Sequence, residues 1–251
     1  MVIPDIRMAP NQYWPIHWHD CWIAVIVMDG ECLVGDWWMT PGDVLISAAE
    51  LEYGPVLNGP EGCQLLEPFH RAALAPGGYA PEYHDHPTLN RDPSMSFAFK
   101  PRSRLNQRNV GNQTLSMEGV EGLTKGHLKG GQRWNLGEPG DPNRGVLLDT
   151  RLQPGENYPP RRHREWRGVL VLDGSLKVGT ERLTKDNLLI AEPNVEYGPL
   201  EPGPSGAHVL EFVRKAAAVP CVYRDQYRTD PRYAAVLARS PDTAFATGPR
   251  S

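Results

Sequence analysis

Slid against itself by 144 residues, the chain matches without a gap from its N-terminus to about residue 87. Between Pro15 and Phe69, 21 of 55 positions are identical to those at 159–213. The shared positions include Trp22 and Trp166, Asp29-Gly30 and Asp173-Gly174, the EYGP stretches at 52 and 196, and Leu66-Glu67 and Leu210-Glu211. A match of this length means that one structural unit is built twice. It divides the chain into a first repeat at 1–87, a connecting segment at 88–144, a second repeat at 145–231 and a tail at 232–251.

Each repeat reads as short strands. WIAVIVMDGECLVG and WRGVLVLDGSLKVG place Asp-Gly between apolar runs, which predicts a hairpin there. DVLISA and NLLIAE follow as strands, EYGP and then GPEG or GPSG as turns, and CQLLEPF or HVLEFV as closing strands. The 25 glycines and 25 prolines punctuate these runs at the close spacing that an all-β sandwich or barrel needs. The connecting segment carries one or two strands that pack on the first repeat, and the tail holds one short helix over 232–239, after Asp230-Pro231.

Charge and cysteine usage remove several functions. A net charge of −4 with no basic stripe lacks the electrostatic footprint of a nucleic-acid binder. The longest apolar run, Trp22 to Met28, falls far below the roughly 20 residues of a membrane helix, and MVIPDIRMAP has no charged-then-apolar leader pattern. Cys21, Cys32, Cys63 and Cys221 form no CxxC pair, so neither a zinc ribbon nor a disulfide framework is expected and a reducing cytoplasm is the simplest location.

The first repeat sets His17-Trp18-His19 ahead of Asp29-Gly30 and Pro41-Gly42-Asp43. At this spacing it resembles the cupin superfamily, and because both repeats match, the chain is similar to a bicupin. The resemblance implies two tandem jelly-roll (double-stranded β-helix) barrels. It also implies a metal held inside a barrel by three histidines and a glutamate. The chain departs from that set: the family's glutamate falls on Ile23 and Arg167, and its third histidine on Tyr53 and Tyr197.

Alternation along a strand puts His17, His19, Ile23, Val25 and Val27 on one face, turned inward, with Trp18 and Trp22 on the other. In the second repeat the same register turns Arg161, His163, Arg167, Val169 and Val171 inward. The family register also brings Glu67 and Glu211 inside, each 14 residues beyond its tyrosine. Two neutral imidazoles and a carboxylate are a donor set for Fe(II), and they also suit Ni, Mn or Zn. The first pocket is therefore expected to hold a divalent metal on His17 and His19, completed by Glu67, Tyr53 or water; the alternative is a metal-free polar pair. Glu67, whose neighbourhood resembles the acidic strand end of uronate-linearising cupins, is a candidate proton carrier, or else it pairs with Arg71, as Glu211 would with Lys215. Tyr53 is a candidate for orienting substrate, or else packs at a strand end.

Arg161 and Arg167 beside His163 repel a cation, so the second pocket reads as an anion site with Tyr197 and Glu211, or as an Arg167–Glu211 pair filling a degenerate barrel. His84 and His86 read as loop residues, and Trp14, Trp18, Trp22, Trp37 and Trp38 as barrel-exterior or entrance surface. The expected function is a cytoplasmic metal-dependent enzyme acting on a small oxygenated molecule by dioxygenation or C–C cleavage in the first barrel. The alternatives are an acid–base lyase, isomerase or cyclase with metal optional, and a non-catalytic small-anion binder. The chain acts as a monomer, being its own pseudo-dimer, or as a homodimer.

Overall fold

The computed structural model describes residues 1–71, 78–79, 116–239 and 244–246. His84 and His86 lie outside the described residues. The chain divides into two compact units, Met1–Leu128 and Lys129–Ser251. The first contains β1 (Asp5–Met8), β2 (Tyr13–Trp14), β3 (His17–Trp18), β4 (Ile23–Val34), β5 (Trp37–Met39), β6 (Asp43–Ser47), β7 (Val56–Leu66), β8 (Gly78–Tyr79) and β9 (Leu123–His127). The second contains β10 (Gln132–Leu136), β11 (Gly145–Leu152), β12 (Arg167–Val178), β13 (Glu181–Thr184), β14 (Leu188–Ala191), β15 (Leu200–Val213), β16 (Val222–Arg224), α1 (Ala234–Ala238) and β17 (Ala244–Ala246). Helix α1 falls inside the span read as helical from the sequence.

The main sheet of the first unit runs β1-β7-β4-β6-β9, with β2 added to β7 and β5 to β4, and that of the second runs β10-β11-β15-β12-β13, with β14 added to β12. Strands β4 and β12 begin and end 144 residues apart, so the repeat in the sequence is a repeat in the fold. The segment read as a connection is shared between the units. Strand β9 pairs antiparallel with β6, and β10 with β11. Met117 and Leu123 belong to the first unit's core, and the Asp36 carboxylate receives the Met117 amide.

The two Asp-Gly pairs are not hairpin turns. Strands β4 and β12 pass straight through them, and the pairing with β7 and β15 shifts register on both sides. GPEG and GPSG likewise lie inside β7 and β15 rather than between strands. Both signals are real requirements for positive φ, which Gly30 meets at 68° and Gly174 at 74°, but they are used to bend a continuous strand pair as facing bulges. A Cβ on Gly30 would sit 2.2 Å from the Gly62 carbonyl oxygen, and one on Gly174 2.3 Å from that of Gly206. Glycine is required where the two backbones close on one another.

Inside each bend the alternating face becomes the core. Ile23, Val25, Val27, Cys32, Val34, Cys63, Leu65 and Phe69 pack together in the first barrel, as Val169, Val171, Leu176, Val178, Ala207 and Val209 do in the second. Trp14 and Trp37 pack against the first of these clusters instead of facing outward, whereas Trp38 is exposed.

Candidate metal and anion sites at the two barrel mouths

In the first barrel the chain entering β4 lies against the EYGP segment. His17 and Tyr53 exchange backbone hydrogen bonds of 3.2 and 3.0 Å, and the His19 carbonyl receives the Glu50 amide at 2.6 Å. This clamp turns both imidazoles and the phenol to one point. His17 Nε2 and His19 Nε2 lie 3.0 and 3.1 Å from the Tyr53 hydroxyl. His17 Nδ1 donates to the Pro15 carbonyl at 2.8 Å, which leaves the lone pair on Nε2, facing Tyr53. Burial pushes the His17 pKa down to about 4, so the ring is neutral at physiological pH. The phenol can then donate to His17 Nε2 while accepting from His19. The His19 ring is braced edge-on by Phe69 at 5.1 Å between centroids.

The same arrangement fits a metal. Bonds of about 2.1 Å at right angles separate two donors by about 3 Å. The two imidazole nitrogens already stand at that spacing from the phenol oxygen. Glu67 stands apart from this convergence. It follows β7 on the inward side shared by Leu65 and Phe69 but makes no side-chain hydrogen bond or ion pair with a described residue. Among the described residues, no three His, Cys, Asp or Glu side chains are grouped to hold a metal; the polar group beside the two histidines is the Tyr53 hydroxyl. Burial raises the Glu67 carboxyl to about 7.

In the second barrel the backbone clamp recurs between Arg161 and Tyr197, with both hydrogen bonds at 2.9 Å. His163 Nε2 and the Tyr197 hydroxyl keep the contact of their first-barrel counterparts, at 3.0 Å. The rest is rebuilt around Arg167, which is 2% exposed. Its guanidinium donates to Glu211 at 3.1 Å, to His163 Nδ1 at 2.7 Å, and to the carbonyls of Ala218 and Val219 at 3.2 and 2.8 Å. A fixed organic cation thus stands beside His163 and Tyr197, the counterparts of His19 and Tyr53. Burial and the two guanidiniums push His163 down to about 2, which keeps it neutral. Arg167 is engaged by internal partners, and Lys215 pairs with Glu165 at 2.5 Å, not with Glu211.

Several supporting groups escaped sequence reasoning. The Pro15 carbonyl that orients His17 was signalled only by the identity of Pro15 and Pro159 in the repeat. The carbonyls of Ala218 and Val219 left no sequence signal, because a backbone acceptor carries no residue type.

No family model and no curated protein matches the chain. Solved structures do. The salicylate 1,2-dioxygenase of Pseudoaminobacter salicylatoxidans, in a tryptophan-to-tyrosine variant, aligns over 84% of this chain and 70% of its own, with 16% identity and a TM-score of 0.50. A provisionally assigned dioxygenase from Nostoc punctiforme aligns over 86% and 70%, with 16% identity and a TM-score of 0.53. The Bacillus subtilis oxalate decarboxylase aligns over 85% and 68%, with 12% identity and a TM-score of 0.48.

Proposed function

We propose that this chain, a bicupin by fold, is a metal-dependent enzyme whose first barrel acts on a small oxygenated organic molecule, by dioxygenation or C–C cleavage. The observation that carries the reading is the convergence of His17 and His19 on the Tyr53 hydroxyl. These three residues would hold a divalent metal, Fe(II) before Ni, Mn or Zn, which when bound supplies a Lewis acid and, as iron, one-electron chemistry. The chain's own groups do the rest. Pro15 fixes the His17 tautomer, Phe69 braces His19, and Ile23, Val25 and Val27 form an apolar floor that keeps water from the reacting atoms. Glu67, on the same interior face, holds a proton near neutrality and exchanges it with the substrate. Four free cysteines support a reducing cytoplasm as the place of work, and no helix among the described residues is long and apolar enough to cross a membrane.

A second reading rests on Glu67. An inward carboxyl near pKa 7, with no ion-pair partner among the described residues, also suits a lyase, isomerase or cyclase that needs no oxygen. Oxygen uptake measured over a panel of hydroxylated aromatic acids and small dicarboxylic acids separates the two. The first reading expects uptake stoichiometric with product and lost in chelator; turnover that continues under argon and in chelator supports the second.

A further inference from the structure

Among the described residues, the mouth of the second barrel has more positive charge and more hydrogen-bond donors than its own groups answer. Arg161 and Arg167 are 8% and 2% exposed, and the Glu211 carboxylate is the one anion that faces them among the described residues. His163 is neutral and adds nothing to the balance. Two buried guanidiniums against one carboxylate leave a single positive charge uncompensated. Buried charge is ordinarily paired, because desolvation is otherwise unopposed.

The excess resides on Arg161. Arg167 has its fork against Glu211 at 3.1 Å, whereas the nearest Arg161 nitrogen is 3.9 Å from that carboxylate, beyond hydrogen-bond reach. Arg161 lies against the rings of Tyr158 and Tyr197, at 5.9 and 5.7 Å from their centroids, and its Nε–H is buried with no acceptor among the described residues. Unspent donors gather at the same place. Because Arg167 donates to His163 Nδ1, the His163 proton sits on Nε2, which faces the Tyr197 oxygen at 3.0 Å, and the Pro220 carbonyl also lies against the ring. The Arg161 guanidinium lies beside the same tyrosine, 5.7 Å from the Tyr197 ring centroid. The Tyr197 oxygen is therefore an acceptor, and its own proton has no acceptor among the described residues.

We propose that the second barrel binds a small carboxylate-type monoanion, held by the Arg161 guanidinium and the Tyr197 hydroxyl. Such a ligand offers acceptors only, matches the planar fork of an arginine, and brings the charge of the pocket to balance. A phosphate dianion would overshoot that balance beside the Glu211 carboxylate. The site uses a different part of the pocket from that expected of Arg167, whose two terminal nitrogens donate to internal partners while its Nε, like that of Arg161, is buried without an acceptor among the described residues.

The test is calorimetric titration of the full chain at fixed ionic strength with acetate, bicarbonate, chloride and inorganic phosphate. Saturable binding of acetate or bicarbonate at one per chain is expected. Preference for acetate identifies an organic carboxylate ligand and preference for bicarbonate an inorganic one. Tyr197→Phe keeps the ring and removes one donor, and is expected to weaken binding about tenfold, the loss of one hydrogen bond to a charged group. Arg161→Gln is expected to abolish it. Should Arg161→Gln fail to fold, Tyr197→Phe decides. Absence of saturable acetate and bicarbonate binding, binding of chloride or phosphate alone, or unchanged affinity in Tyr197→Phe would overturn the proposal.

Discussion

Glu211→Gln is expected to destabilise the second barrel by about 3–5 kcal/mol, the cost of leaving buried charge without its partner. The carboxylate accepts from Arg167 at 3.1 Å and faces Arg161 at 3.9 Å, so its neutralisation leaves two buried guanidiniums together without a counter-charge among the described residues. Adding Arg167→Met should recover more than half of the loss, because the second substitution removes one of the two stranded cations and replaces it with an apolar chain of similar length. Denaturant unfolding of the two single variants and the double variant gives the coupling directly. A cost below about 1 kcal/mol for Glu211→Gln would mean that water already screens the pocket, against the burial described for Arg167.

Glu67→Gln should have effects of opposite sign on activity and stability. As the proton carrier its loss should lower turnover by about 10²–10⁴-fold. Stability follows from the raised carboxyl, about 7 in the folded chain against an ordinary value of 4.5. Between these values the unfolded chain has released the proton and the folded chain still holds it, so the stability of the wild type falls as pH rises from 4.5 to 7 and levels off above that. Glutamine carries no charge to desolvate. The variant should therefore equal the wild type near pH 4 and exceed it at pH 8 by about 2 kcal/mol, after allowance for the partial exposure of the carboxyl. Parallel stability curves for the two proteins across this range would show that Glu67 is not held in the apolar interior.

The duplication carried most of what the sequence revealed. One offset predicted that β4 and β12 would correspond, and strand alternation then turned His17, His19 and Ile23 inward, with Arg161, His163 and Arg167 as their counterparts. The Arg167–Glu211 pair was legible for the same reason: both residues lie on inward positions of strands that the register places side by side. Asp29-Gly30 and Asp173-Gly174 were misread because a turn and a bulge make the same local demand, a residue at positive φ. What separates them is the opposing Gly62 or Gly206, a long-range fact. Strands β9 and β10 were indistinct in the connecting segment because their stability comes from edges supplied elsewhere, β6 and β11. Tyr53 was noticed where the family has a histidine, but its place between the two imidazoles depends on the clamp between His17 and Tyr53, which only the fold displays.

If His17, His19 and Tyr53 form a metal site and not merely a hydrogen-bonded polar triad, the metal must depend on the two imidazoles. Elemental analysis of untagged protein after supply of Fe(II), Ni, Mn and Zn measures this, with His17→Ala/His19→Ala purified alongside. Close to one divalent ion per wild-type chain is expected, with background content in a variant that remains folded. Metal content that is equal in the two proteins, or near zero in the wild type for every metal supplied, would contradict the assignment.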